Sequence, residues 1–92
     1  MTLFTAQDAE RRLTSLPGWA IENVELVKTF TFKDFREALA FVNRVGDVAE
    51  SAGHHPDIDI RYNRVRLALI THDAGGLTEK DFDLASRVNT LA

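Results

Sequence analysis

The chain has 92 residues, of which 45% are hydrophobic, and a formal net charge of -3. This length predicts a single domain over residues 1–92, and the apolar content argues against disorder. The basic residues are scattered along the chain, which argues against a protein that binds nucleic acid phosphates. The absence of cysteine excludes disulfides and thiolate metal sites.

The first residues lack the basic and apolar regions of a signal peptide. No apolar run approaches the roughly 18 residues that a membrane-spanning helix needs. We therefore expect a cytoplasmic protein that does not span a membrane.

Three predicted helix starts share the pattern Thr-x-x-Asp, beginning at Thr5, Thr31 and Thr78. In each, the threonine can accept a hydrogen bond from a free backbone N–H, and the acid favours the positive end of the helix. The apolar periodicity that follows predicts helices over residues 6–16, 32–52 and 79–91. Gly53 is expected to end the second helix in a left-handed conformation.

Strand alternation and turn residues between the helices predict two hairpins, with strands at residues 19–22, 25–30, 57–62 and 64–71. Hairpins produce antiparallel pairing, and helices then cover one face of the sheet. The sequence therefore predicts an α+β fold in the order α-β-β-α-β-β-α. Its four-stranded antiparallel sheet is expected to carry the three helices on one face.

The second hairpin also predicts where two histidines lie. If residues 63–64 form a two-residue turn, Tyr62 pairs with Val65, and the pairs on that face are apolar along both strands. Extending this register places His55 opposite His72. We therefore expect the two imidazole rings to lie close together and to face one cavity.

All three histidines lie in one stretch of the chain: His54, His55 and His72. An imidazole with an ordinary pKa of about 6.5 can donate or accept a proton near neutral pH. Metal binding is an alternative, but neighbours in an extended chain point to opposite faces, and the spacing matches no common zinc motif. Surface or packing histidines are the third interpretation. Acid–base catalysis suits the residues best, and nothing in the sequence supports covalent catalysis.

Two carboxylates accompany the histidines. Glu50 precedes His54 by about one helical turn and can lie beside it, although it can also be a solvated helix residue. Asp81 is the acid of the third helix start, so capping is its simplest role. A helix start can also meet a bound ligand, which leaves a role in the site open for Asp81.

The sequence also favours a homo-oligomer, because a chain of this size has a thin core and its sheet leaves unpaired edges. Phe41 and Val48 lie away from the centre of the apolar stripe on the second helix. Either they contact a second subunit or they widen the core.

These residues form a pattern with fixed gaps that resembles the motif of the pterin-4a-carbinolamine dehydratases: Glu50-x3-His54-His55-Pro56-x5-Tyr62-x9-His72-x8-Asp81. The resemblance covers essentially the whole chain and implies the same α+β fold. It implies dehydration of 4a-hydroxytetrahydropterin to quinonoid dihydropterin without a metal or bound cofactor. His54, His55 and His72 would be the active histidines, and Glu50 and Asp81 the matching carboxylates that bind substrate.

The resemblance further implies that the protein recycles the pterin of an aromatic amino acid hydroxylase, as a homo-oligomeric dimer or tetramer. Animal members also bind a homeodomain transcription factor through their oligomer helices. A non-enzymatic interaction module resembling a transcriptional coactivator is therefore an alternative, as is an accessory role in another pterin pathway. The histidine triplet favours catalysis, because a scaffold needs no cluster of side chains that titrate near neutral pH.

Overall fold

The computed structural model describes residues 2–92. Its elements, in chain order, are α1 (Ala6–Leu13), β1 (Ala20–Glu22), β2 (Glu25–Thr31), α2 (Phe35–Ala52), β3 (Asp57–Arg61), β4 (Arg64–Leu69), a short 3₁₀-helix (His72–Ala74) and α3 (Glu79–Asn89). The predicted fold class and the predicted order α-β-β-α-β-β-α are confirmed. Over residues 2–92, no helix combines the length and the apolar character needed to cross a membrane.

The four strands form one antiparallel sheet in the spatial order β1-β2-β4-β3. The two hairpins are therefore joined through the central strands β2 and β4. Alternate residues of these strands point toward the helices and are buried: Leu26, Phe30, Val65, Leu67 and Leu69. Residues of β3 and β4 on the opposite face are largely polar, which is the pattern of an antiparallel sheet covered on one side.

Aromatic side chains fill the space between the sheet and the helices. Phe41 of α2 is fully buried, and its ring centroid lies 4.7 Å from that of Phe30. Phe82 of α3 is also fully buried in the same cluster. Complete burial of one such side chain contributes about 1.5–3 kcal/mol to folding. Phe41 therefore widens the core, which decides between the two interpretations that the sequence left open for this residue.

The start of α2 differs from the prediction. The helix begins at Phe35, because Asp34 rather than Thr31 caps it by accepting a hydrogen bond from the backbone N–H of Glu37 at 2.9 Å. Thr31 instead ends β2, where it pairs with Arg64. The Thr-x-x-Asp pattern was thus a false signal here, since an acid at the N-cap position serves as well as a threonine.

The other helix boundaries differ by a few residues. α1 ends at Leu13 rather than at residue 16, and α3 ends at Asn89 rather than at residue 91. Turns occupy residues 14–18, so Leu16 is buried without being helical. The apolar periodicity in the sequence therefore continues past the end of the helix, because Leu16 packs into the core from a turn.

The register predicted for the second hairpin is wrong by two residues. Ile60, not Tyr62, pairs with Val65, so the turn consists of Tyr62 and Asn63. Asn63 is fixed there because its carbonyl accepts from the backbone N–H of Phe32 and its side-chain amide donates to the Phe32 carbonyl, each at 2.8 Å. Tyr62 consequently has a φ of 53° in the left-handed region.

The shift also moves the histidines out of the ladder. β3 begins at Asp57 and β4 ends at Leu69, so neither His55 nor His72 belongs to a paired strand. The ladder therefore ends before these two residues, which are not directly paired. Their convergence arises from the loops at the end of the hairpin.

Candidate active site

The candidate site lies where the end of α2 approaches the loop between β4 and α3. α2 ends at Gly53, whose φ of 64° is the left-handed conformation that the sequence predicts. The backbone N–H of His54 donates to the carbonyl of Ala49 at 3.1 Å, which fixes the direction in which the chain leaves the helix. His54 and His55 are thus held beside the helix end, before β3 begins.

A closed loop presents the third histidine. The backbone N–H of Thr71 donates to the carbonyl of Gly76 at 3.0 Å, which closes the loop at its base. The 3₁₀-helix His72–Ala74 lies inside this loop and ends at Gly75, whose φ is 74°. The loop leaves His72 exposed while it buries Thr71.

His54 forms a tight pair with Asp81. Its Nε2 atom lies 2.6 Å from Oδ1 of the carboxylate, the His54 side chain is 11% exposed, and Asp81 is fully buried. The other carboxylate oxygen, Oδ2, accepts from the hydroxyl of Thr71 at 2.8 Å and from the backbone N–H of Thr78 at 2.9 Å. The second of these bonds is the one that the Thr-x-x-Asp pattern predicts at the start of α3.

The direction of the hydroxyl protons follows from this network. Thr71 has one hydroxyl proton, and it donates that proton to Asp81. Its hydroxyl oxygen also lies 2.8 Å from that of Thr78, so Thr78 must be the donor in that contact. Within residues 2–92, every buried side-chain nitrogen or oxygen has a hydrogen-bond partner. Asp81 is therefore held rigidly behind His54.

His55 forms the second histidine–carboxylate pair. Its Nε2 atom contacts Oε2 of Glu50, and the two side chains are 60% and 78% exposed. The sequence predicted that Glu50 can lie beside His54, and the structure corrects this assignment. The left-handed conformation of Gly53 ends the helical spacing. His55, rather than His54, therefore reaches the Glu50 carboxylate.

All three histidines line one open depression of about 270 Å³, together with Gly53, Ile70, Thr71, Asp73 and Lys80. The expectation that His55 and His72 face one cavity therefore holds, although the two residues are not paired in the ladder. Ligand pockets usually measure about 300–1,000 Å³. The depression is slightly smaller than that range.

The two carboxylates do not line the depression but contact histidines that do. Neither Glu50 nor Asp81 is among its lining residues. Asp81 lies behind His54 and Glu50 lies beside His55. Across the part of the chain that the structure describes, no group of three or more histidine, aspartate or glutamate side chains is arranged to hold a metal ion.

A charged cluster on α3 adjoins the site. Arg12 of α1 donates to Glu79, and this hydrogen bond holds the pKa of the Glu79 carboxyl below its usual range. Arg12 also lies 3.6 Å from Asp83. Partial burial and the neighbouring Glu79 carboxylate raise the pKa of Asp83. Arg12 of α1 therefore partly neutralises the two carboxylates on this face of α3.

A family model described as pterin 4 alpha carbinolamine dehydratase matches residues 2–91. The chain belongs to this family. A relative from Acidobacterium capsulatum is 59% identical over 91 residues, which cover 99% of each chain. A relative from Chloroflexus aurantiacus is 60% identical over 89 residues, which cover 97% of this chain and 95% of the relative. Both relatives are provisionally named pterin-4-alpha-carbinolamine dehydratases.

Solved structures show the same fold within this dehydratase family. A Brucella melitensis protein described as a transcriptional coactivator/pterin dehydratase is similar with a TM-score of 0.95 and 33% identity, covering 99% of each chain. A pterin dehydratase-like protein described as a RuBisCO assembly factor in the alpha-carboxysome has a TM-score of 0.66 and 27% identity. In that comparison 80% of this chain and 86% of the other are covered.

Sequence reasoning missed two residues of the candidate site. Thr71 was predicted only as the end of a strand, yet its hydroxyl holds Asp81 and its residue lines the depression. Lys80 was predicted only as a helix residue, yet it too lines the depression. The position of Lys80 beside Asp81 in the first turn of α3 is a signal that could have identified it. Thr71 had no such local signal, because its partners belong to another element.

Proposed function

We propose that this protein dehydrates 4a-hydroxytetrahydropterin to quinonoid dihydropterin, and so returns the pterin of an aromatic amino acid hydroxylase to its cycle. The main support is the convergence of His54, His55 and His72 on one depression. Two of these histidines are also paired with separate carboxylates. Membership of the dehydratase family supports the same reaction class.

The proposed reaction needs an acid and a base. The C4a–O bond breaks, and the hydroxyl leaves as water after it receives a proton. The adjacent ring nitrogen supplies the electron pair for the new double bond to C4a and loses its own proton. One proton is donated and one is accepted, so the net protonation of the enzyme is unchanged and no oxidant or reductant is needed. Proton exchange with solvent then returns the acid and the base to their starting states. Placed groups that transfer protons accelerate such reactions by about 10²–10⁴-fold.

The contacts of the histidines suggest how this work is divided. When Asp81 is ionised, Nε2 of His54 carries the proton of their hydrogen bond, which leaves Nδ1 of a neutral ring able to accept one. His54 is therefore proposed as the base. His55 and His72 are exposed and can exchange protons with solvent, which suits the donation of a proton to the departing hydroxyl. Asp81 and Glu50 are proposed to position their histidines.

Single-turnover dehydration of a synthetic 4a-carbinolamine tests the proposal, measured above the spontaneous rate. We expect His54→Ala, His55→Ala and His72→Ala each to lose about 10²-fold or more in rate. Gln7→Ala, at an exposed position on α1, is the control and should keep the parent rate. The proposed reaction is wrong if the folded parent gives no rate above background. The histidine assignment is wrong if the folded histidine variants match the parent.

A homo-oligomer is proposed through the exposed side of α2. Phe35 and Leu39 lie one helical turn apart and are 46% and 39% exposed, which is unusual for large apolar side chains on one helix face. We expect Leu39→Glu to lower the sedimentation coefficient, because a buried charge weakens a packed interface. Gln7→Glu provides a control with the same charge change. A parent that sediments as a monomer at micromolar concentration would contradict this proposal.

The same apolar surface supports a second candidate function. The Brucella melitensis neighbour is described as a transcriptional coactivator as well as a pterin dehydratase, and another neighbour is described as an assembly factor. An interaction module would need the surface of α2 and not the histidines. It becomes the better description if the parent forms a stable oligomer but does not dehydrate the carbinolamine.

A further inference from the structure

A second depression adjoins the one that the histidines line. It measures about 180 Å³, and its lining residues are Ala52, His54, Lys80, Asp83, Leu84 and Arg87. His54 and Lys80 line both depressions, so the two share a wall. The two depressions are therefore adjacent, with these two side chains between them.

The second depression combines an apolar surface with two cations. Lys80, Leu84 and Arg87 lie on successive turns of the same face of α3. Leu84 is buried in the core, and with Ala52 it provides the apolar part of the wall. Within the described chain, neither Lys80 nor Arg87 forms an ion pair.

The acid in this depression does not cancel those cations. Asp83 also lines it, but its carboxylate lies 3.6 Å from the guanidinium of Arg12. Arg12 is shared between Asp83 and Glu79. Together with Lys80 and Arg87 it makes three cations against these two carboxylates, so the cluster keeps a net positive charge. The charge distribution favours an anionic group between or beside them.

We propose that the second depression binds the C6 substituent of the pterin substrate, and that this substituent is anionic. The inference rests on the proposed function, which places the pterin ring beside the histidines. Two kinds of substituent share the required chemistry. One is a conjugated aminobenzoyl-glutamate tail, whose aromatic ring suits the apolar wall and whose carboxylates suit the cations. The other is a polyol tail that ends in a phosphate ester.

Calorimetric titration with stable dihydropterins tests this inference without relying on turnover. The three probes are 7,8-dihydrobiopterin, whose tail is neutral, 7,8-dihydrofolate and 7,8-dihydroneopterin 3′-monophosphate. We expect at least one anionic probe to bind the parent about fivefold or more tightly than the neutral one, the order expected for two partly exposed ion pairs. This preference should shrink as salt is added, since exposed charges are screened. Comparison of the two anionic probes identifies which tail chemistry the depression takes.

Arg87→Gln is the most direct variant, because Arg87 lines the second depression and not the first. The ratio of the neutral to the anionic dissociation constant should fall toward one in Arg87→Gln and in Lys80→Gln. The double variant Arg11→Gln, Lys33→Gln removes two exposed charges elsewhere and should keep the parent ratio. Thermal unfolding of each variant checks that it is folded.

The inference is overturned if the parent binds all three probes equally, or if Arg87→Gln weakens neutral and anionic probes alike. Its failure can be separated from that of the proposed function. A protein that dehydrates the neutral carbinolamine but has no anion preference retains the proposed function and loses this inference. A protein that binds anionic pterins but dehydrates none shows the reverse.

Discussion

His54 and His55 are neighbours in the sequence, and each pairs with a carboxylate, yet the two pairs lie in very different surroundings. The carboxylate of Asp81 has no exposed surface and contacts the His54 ring, the Thr71 hydroxyl and the Thr78 backbone N–H. The carboxylate of Glu50 is 78% exposed and contacts one histidine, His55. A buried carboxylate depends on every partner, since water cannot replace a lost one. An exposed pair is screened and contributes little to stability. One site thus contains a fixed histidine and an adjustable one.

The largest loss of stability is expected when the buried carboxylate, Asp81, is removed. Asp81→Ala should lower the free energy of unfolding by about 3 kcal/mol, because the Thr71 hydroxyl, the Thr78 N–H and the His54 ring all lose their acceptor. Urea denaturation measures this change. Asp47→Ala, at an exposed position on α2, is the control and should change stability by less than about 0.5 kcal/mol. A comparable loss in both variants would contradict the role given to the Asp81 network.

Thr71→Val sharpens the comparison, because it removes one hydroxyl from the buried network and nearly preserves the shape of the side chain. We expect a loss of about 1–2 kcal/mol in unfolding free energy, since Oδ2 of Asp81 loses a donor and Thr78 loses an acceptor. The pH profile of the dehydration rate should also shift, because Asp81 no longer holds His54 in the same way.

Two further variants separate this positioning role from a general loss of stability. Thr71→Ser keeps the hydroxyl and should restore most of the pH profile. Thr29→Val makes the same chemical change at an exposed position on β2 and should alter neither quantity. If Thr71→Val changes stability but leaves the pH profile intact, Thr71 has only a structural role.

The smallest effect is expected at the exposed pair. Glu50→Gln should change the free energy of unfolding by less than about 1 kcal/mol, because both side chains of the pair are already open to water. Its effect on the dehydration rate should be smaller at high salt than at low salt, since salt screens the parent pair as well. A stability loss as large as that of Asp81→Ala would show that the two pairs are equivalent after all.

The sequence predicted the element order and the inward faces of the strands, because these follow from local periodicity. It could not predict the hairpin register, since a shift of two residues keeps every side chain on the same face. The contacts between Asn63 and Phe32, which are distant in sequence, fix the register instead. The three histidines were recognised by composition and motif. The Glu50 partner was assigned incorrectly, because helical spacing does not continue past the left-handed Gly53.

Gly53, next to the paired histidines, has a backbone conformation that D-amino acids favour and L-amino acids do not. Its φ of 64° is the mirror image of the helical conformation, and a Cβ atom placed on it would meet no atom within 4 Å. The energetic obstacle to a side chain at this position is therefore its handedness and not its size. A D-amino acid, introduced by chemical synthesis, would prefer the very backbone conformation that the two following histidines require. Position 53 is thus a place where a probe of inverted configuration can be attached beside the histidines without disturbing the path of the chain.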